Sequence, residues 1–281
     1  MKDLSFTVPR ADNPRIEYLQ NNRSHLTITW IGHSTFLIQM NGCNIITDPV
    51  WAGRMGIEKR LAPPGLEPKQ LPPIDIVVIS HNHYDHLHFR SLRQLPGNPL
   101  YLIPEGLYPL FARRGLRQAE EMSWWQQKEY NNISVTFLPA QHWSRRGIWD
   151  INASHWGGFL FAPASSSSSP SVYFAGDSGY FSGFREIGGK FQIDYALLPI
   201  GAYEPEWFMS MQHMTPEEAV QAFADLKARH FIPMHYGSFR LADDTPREAL
   251  DRLLAEWEKR KLPNEQLILL KHGETLSKEN V

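Results

Sequence analysis

The chain of 281 residues contains a single cysteine, Cys43. One thiol excludes an intrachain disulfide framework and equally excludes a thiolate-rich metal site, so a reduced compartment fits. An excess of charge of one sign is also missing, since 28 basic and 30 acidic side chains leave a formal charge of -2. That balance lays down no electrostatic footprint for nucleic acid. No apolar run approaches the roughly 20 residues that a membrane span needs, and Met1 to Arg15 is polar, unlike a signal peptide. These absences lead us to expect a cytoplasmic protein without nucleic-acid partners, and they leave peripheral contact with a membrane open.

What is present is an ordinary globular composition, with 42% hydrophobic and 21% charged residues, enough for a sizeable core and by default one domain over 1–281. Runs rich in β-branched and aromatic residues predict strands at 26–31, 36–40, 43–47, 74–79, 133–138, 172–175 and 195–200. Asn41-Gly42 between two such runs signals a tight hairpin. Thr215-Pro216-Glu217-Glu218 and Thr245-Pro246-Arg247-Glu248 each combine an N-cap, a first-turn proline and a capping-box glutamate. A further helix is expected from about Pro104 to Gly115, and the serine tract Ser165 to Ser169 reads as a surface loop. Trp124-Trp125, beside a candidate amphipathic helix, is a candidate for an acyl groove or a headgroup contact. Strands followed by strands mixed with helices suggest an α/β protein whose sheets pack face to face with helices outside.

The chemistry concentrates in Ser80-His81-Asn82-His83-Tyr84-Asp85-His86-Leu87-His88, directly after the strand at 74–79. In extended chain His81, His83 and Asp85 project to one side, and His86 joins them only where the backbone turns. Imidazole and carboxylate are donors suited to zinc, iron or manganese, and a catalytic zinc keeps one position open for water. Three later candidates each follow a strand-like run: His142, Asp177 and His235.

This order, H-x-H-x-D-H, then His, then Gly-Asp, then His, resembles the full ligand set of the metallo-β-lactamase superfamily. The resemblance implies an αββα sandwich of two mixed sheets with helices on the outer faces. It also implies two Zn2+ ions, one held by His81, His83 and His142 and the other by Asp85, His86 and His235, with Asp177 bridging them. Within the superfamily the chain resembles the N-acylphosphatidylethanolamine-hydrolysing phospholipase D family. That likeness rests on the block from His81 to Leu87, on Gln141-His142-Trp143, on Lys271-His272-Gly273-Glu274 and above all on Pro199 to Met209 with Gln212-His213. His88 departs from it, standing where the animal enzymes have aspartate.

The likeness implies a phosphodiesterase that uses a water shared by two metals, with Asp85, His86, Asp177 and His213 as catalytic residues. Tyr203, His213, Arg145 and Arg146 are the candidates for binding a phospholipid or another small phosphodiester. A homodimer is expected by analogy with the animal enzymes. The donor set alone leaves a soluble lactone, ester or cyclic phosphodiester open as substrate, and equally a noncatalytic metal-binding protein that docks on a membrane or a partner.

Overall fold

A computed structural model describes residues 3–164 and 169–277. After a short helix α1 (Ile16–Asn21), strands β1 (Thr27–Gly32), β2 (Thr35–Met40) and β3 (Cys43–Thr47) form a meander. Its second turn is Asn41-Gly42, with φ of 48° and 80°, the left-handed geometry that asparagine and glycine tolerate. A small ribbon, β4 (Arg54–Met55) and β5 (Glu58–Lys59), precedes β6 (Ile74–Val78), α2 (Phe89–Leu92), β7 (Gly97–Pro104), α3 (Tyr108–Arg113) and β8 (Ala119–Met122). The next strands are β9 (Gln127–Tyr130), β10 (Ile133–Pro139), β11 (Gly157–Pro163) and β12 (Val172–Phe174). The chain then alternates α4 (Gly183–Lys190), β13 (Tyr195–Pro199), α5 (Glu206–Met209), α6 (Pro216–Leu226), β14 (His230–Met234) and α7 (Pro246–Lys259), and closes with β15 (Thr275–Ser277).

Among the described residues these strands make two large mixed sheets, β15-β1-β2-β3-β6-β7-β8 and β14-β13-β12-β11-β10-β9. The period of two sorts the first sheet's side chains. Trp30, Phe36, Ile38 and Ile45 join Val135, Phe137, Phe159 and Phe161 of the second sheet in one core, while Ile31, Leu37, Ile46 and Val77 pack outward against Phe89 and Phe111 of α2 and α3. On the far side α6 covers β13 and packs on α4 and α7, with Phe223, Phe231 and Trp257 in ring contact. The result is the expected αββα sandwich.

Two local expectations are corrected. Pro104 closes β7, and α3 begins at Tyr108, because Pro104 pairs with Met122 in the parallel ladder of β7 and β8. Trp124 and Trp125 lie in the turn between β8 and β9, where the Trp124 indole N–H donates to the Trp156 carbonyl at 2.6 Å and the Lys190 ammonium at the end of α4 lies over the Trp125 ring at 4.4 Å. Most of the serine tract, 165–168, lies outside the described residues; its flanks β11 and β12 pair antiparallel in one sheet. Both threonine caps form, with Thr215 accepting from the Glu218 amide and Thr245 from the Glu248 amide.

Candidate metal centre

Strands β3 and β6 run parallel in the first sheet; β12, β13 and β14 are parallel in the second, and β10 runs the same way because β11 opposes both β10 and β12. Their C-terminal ends therefore open on one edge of the sandwich. The loops there carry Asp48, the 81–88 segment, His142, Asp177 and His235. Past Ile79 the chain turns: the His86 and Leu87 amides both donate to the His83 carbonyl, at 3.2 and 2.8 Å. That turn swings His86 onto the same side as His81, His83 and Asp85.

The structure gathers all seven predicted donors into two adjoining groups. His81 Nε2 and His142 Nε2 lie 2.8 and 3.2 Å from His83 Nδ1. Asp85, His86 and His235 make the second group, with Asp85 Oδ2 3.3 and 3.5 Å from the Nε2 atoms of His86 and His235. Asp177 sits between them: its Oδ2 is 3.1 Å from both His86 and His235 Nε2, and 4.0 Å from His81 and His142 Nε2. His213 Nδ1 stands 4.0 Å from the same oxygen.

The donor set fits divalent ions. Asp48 Oδ2 takes the His86 Nδ1–H at 2.6 Å and the Ser80 hydroxyl at 2.5 Å. With its one proton so engaged, Ser80 Oγ accepts from His81 Nδ1–H at 2.9 Å. His142 Nδ1–H donates to the Gln212 carbonyl at 2.9 Å. Each bond fixes a tautomer that leaves an Nε2 lone pair facing the cluster, which is how ligating histidines are held. Asp177 Oδ1 and the Nε2 atoms of His86 and His235 are buried without a hydrogen-bond partner, an arrangement that is costly unless a cation completes it.

Electrostatics agree. Burial pushes the Asp177 carboxyl up, but His235 and His86 outweigh it and hold it well below the usual carboxylate range. Burial pushes His86 down, and Asp177, Asp85 and Asp48 outweigh that and raise it well above its ordinary value. His235 is likewise raised to about 9, against burial, by Asp177 and Asp85. Two buried carboxylates thus demand positive charge, which bound metal supplies while displacing these protons.

Sequence reasoning missed two members. His33 Nε2–H donates to Asp85 Oδ2 at 3.0 Å, and its ring centroid is 4.1 Å from that of His235. Asp48 follows β3 in Thr47-Asp48-Pro49, a polar residue at a strand end, and that placement was the available signal. His33, Asp48 and His235 all adopt left-handed backbone, with φ of 56°, 33° and 60°. Such conformations cost about 1 to 3 kcal/mol each and persist where the surroundings over-determine them.

Beside the donors opens a cleft of about 770 Å³, lined by His83, Tyr84, Asp85, Trp143, Arg54, Met55, His88, Arg145 and Arg146 among others. The Arg146 guanidinium also donates to the Asn82 carbonyl at 2.8 Å and lies over the Tyr84 ring at 4.1 Å. It therefore fastens the ligand loop as well as facing the cleft. His88 caps α2, its Nδ1 2.7 Å from Ser91 Oγ. Tyr203, expected at the substrate, is instead fully buried beneath the Arg252 guanidinium and does not line the cleft. Its place follows from Arg252, which also binds Glu206 and Glu217.

Comparison with known proteins agrees with this geometry. The model of the beta-lactamase superfamily domain matches residues 43–236. The chain is 34% identical over 257 residues to N-acyl-phosphatidylethanolamine-hydrolyzing phospholipase D 1 of Caenorhabditis elegans, covering 83% of this chain and 71% of that one. It is 35% identical to the mitochondrial N-acyl-phosphatidylethanolamine-hydrolyzing phospholipase D of Saccharomyces cerevisiae, covering 86% of this chain and 54%, about half, of the yeast protein. Among solved structures, the metallo hydrolase Igni18 of Ignicoccus hospitalis superposes with a TM-score of 0.69 at 23% identity, over 90% of this chain and 98% of that one. Fold, donor cluster and sequence together place the chain in the metallo-β-lactamase superfamily, as a metal-dependent hydrolase that resembles the N-acylphosphatidylethanolamine-hydrolysing phospholipases D.

Proposed function

We propose that the protein is a phosphodiesterase of phospholipase D type that hydrolyses N-acylphosphatidylethanolamine to N-acylethanolamine and phosphatidic acid. The observation that carries this reading is the pairing of the donor cluster with a cleft whose walls combine Arg54, Arg145 and Arg146 with Met55, Tyr84 and Trp143. Planar guanidinium forks match a phosphate, and the apolar wall suits the lipid around it. The relatives named for this activity support the same choice.

In this scheme His81, His83 and His142 would hold one metal ion and Asp85, His86 and His235 a second, with Asp177 standing between the two groups. Two such ions, zinc in our reading, would supply a water acidified towards neutrality and charge neutralisation on the phosphodiester. Hydrolysis joins the oxygen of one water to phosphorus, breaks the bond from phosphorus to the ethanolamine oxygen, and returns a proton to that oxygen. Arg145 and Arg146 orient the phosphate at the cleft. Burial holds His213 down to about 4, with Asp177 pulling it back up. It is therefore a neutral imidazole whose ring N–H positions a substrate oxygen, and it lacks the ionisable proton of an acid working near pH 7.

Mass spectrometry of products from mixed micelles of N-acylphosphatidylethanolamine tests the reading, with His81→Ala as control. Phosphatidic acid plus N-acylethanolamine, absent in the control, is the expected result. Fully metallated protein that leaves the lipid intact would defeat it and turn attention to a soluble ester, lactone or cyclic phosphodiester.

A further inference from the structure

The cleft beside the donor cluster is walled by hydrogen-bond donors and holds almost no acceptor. Its charged side chains are Arg54, Arg145, Arg146 and Asp85, and Asp85 is committed to the cluster, where His33, His86 and His235 surround its Oδ2. The other carboxylates of the neighbourhood are turned elsewhere. Asp150 accepts from the Arg146 and Gly147 amides at 3.1 and 2.6 Å, and Arg252 draws Glu204 and Glu206 to 3.8 and 2.8 Å. Glu58 stands opposite Met55 in the β4–β5 ribbon and does not line the cleft.

His88 lines the same cleft, half-buried, and its surroundings fix its tautomer. Ser91 in α2 is buried, and its hydroxyl oxygen accepts from the Trp51 amide at 2.8 Å. The same oxygen lies 2.7 Å from His88 Nδ1. Among the described residues the Ser91 hydroxyl proton has no other acceptor, and a buried hydroxyl proton left unpaired is costly. Ser91 O–H therefore donates to Nδ1, and the neutral imidazole carries its own proton on Nε2. The Ser91 and Leu92 amides donate to the His88 carbonyl at 2.9 and 3.2 Å, which pins the residue at the start of α2. With Nδ1 turned inward to Ser91, the Nε2–H edge is the one left to the cleft.

The phosphate of the reaction proposed above carries one negative charge, which the metal centre answers together with Arg145 and Arg146. Arg54 and the His88 N–H remain, in a wall that offers no free carboxylate to a cation. Surplus positive charge and an unspent donor beside the phosphate select a substrate with a second anionic group. We infer that His88 is a specificity-determining residue whose Nε2–H donates to a carboxylate on the alcohol side of the phosphodiester, so that the cleft favours headgroups bearing that carboxylate. The inference rests on the phospholipase reading and narrows its substrate class. The lipid with this chemistry is an N-acylphosphatidylserine. Its hydrolysis joins the oxygen of one water to phosphorus, breaks the bond from phosphorus to the serine oxygen and returns a proton to that oxygen, giving N-acylserine and phosphatidic acid.

The test compares metal-loaded wild type, His88→Asp and His88→Gln on N-acylphosphatidylserine and N-acylphosphatidylethanolamine with identical acyl chains in mixed micelles. Mass spectrometry of the released N-acylserine and N-acylethanolamine gives kcat/KM for each lipid, and elemental analysis gives metal per chain. Wild type should favour the serine lipid about tenfold, the scale of one charge-assisted hydrogen bond. His88→Asp, which sets a carboxylate against that of the substrate, should abolish or reverse the ratio. His88→Gln, which keeps an N–H at similar reach, should retain part of it. A role confined to holding α2 would slow both lipids alike and leave the ratio where it was, and that result overturns the assignment. Wild-type protein that cleaves the ethanolamine lipid as well as the serine lipid, or better, also overturns it and leaves the phospholipase reading standing. Wild-type protein that cleaves neither lipid would sink the phospholipase reading. The inference is then decided by letting glycerophospho-N-acetylserine and glycerophospho-N-acetylethanolamine compete with hydrolysis of bis(p-nitrophenyl) phosphate. It stands if the serine compound competes better in wild type and not in His88→Asp, and it falls if the two compete equally.

Discussion

The two halves of the metal centre are built differently. His81, His83 and His142 are all imidazole, and their bonds outward run to neutral groups, the Ser80 hydroxyl and the Gln212 carbonyl. The other half contains the carboxylate of Asp85, and buried partners back two of its donors directly: His33 holds Asp85 and Asp48 holds His86. Asp48 reaches the first half only through Ser80. A charge-assisted bond of this kind is about twice as strong as a neutral one. The second half therefore depends more on its surroundings, and disturbing those surroundings should separate the two metals.

The largest effect is expected where the halves meet. Asp177→Ala removes what is, among the described residues, the only carboxylate whose oxygen lies within 4.0 Å of donors from both groups. Turnover should fall by more than the roughly 100-fold that loss of an outer partner causes, and metal per chain, measured by elemental analysis after dialysis, should drop in both sites. Loss of a single ion with turnover intact would mean that the halves work separately.

Asp48→Ala comes next. It frees the ring of His86 and unseats Ser80, so weakening of metal binding by about 10- to 100-fold is expected, larger for the second ion than for the first. Competition with a chromophoric chelator measures both constants. Equal weakening would show that the path through Ser80 matters as much as the direct bond.

His33→Ala sharpens the contrast further, because His33 bonds Asp85 and packs at a tilt against His235 but is not grouped with any member of the first set. The second ion should bind about tenfold more weakly and the first unchanged, a split that general unfolding would not produce. His33→Asn, able to keep one donor, should recover part of the loss.

The ligands were legible in the sequence because each stands at the end of a strand-like run, where chain order and spacing are local information. Asp48 obeyed the same rule, but its value lies in reaching Ser80 and His86 across 32 and 38 residues of chain, a contact that only packing creates. In β11 the pair Gly157-Gly158 answers a demand of packing that local sequence does not announce. In the structure a Cβ at Gly157 would fall 2.2 Å from the Leu138 carbonyl oxygen, so close pairing with β10 is what demands the glycine. Tyr203 failed in the opposite sense: a residue shared with a family was taken for a substrate contact, and burial beneath Arg252 shows that such a residue can serve the fold.

The smallest effect concerns the layer behind the second half. His272 lies under the Gly32-His33 turn: a Cβ at Gly32 would meet its ring at 3.3 Å, and it packs edge-on against Trp30, whose indole N–H donates to the His33 carbonyl at 2.8 Å. Burial pushes its pKa down to about 4, only partly offset by the Pro63 carbonyl. A pKa lowered on folding means that the unfolded chain binds the proton more readily. Stability from this group is thus complete above about 6.5 and is lost progressively as pH falls towards 4, a loss on the order of 3 kcal/mol. Urea unfolding of the metal-free protein at pH 7 and at pH 5, for wild type and His272→Gln, isolates it. The variant should be less stable at pH 7, since a buried hydrogen bond is disturbed, but should lose less on acidification. Parallel losses in the two proteins would show that the acid sensitivity resides in the metal-binding histidines instead, and that the layer behind the second half adds rigidity without adding a titration.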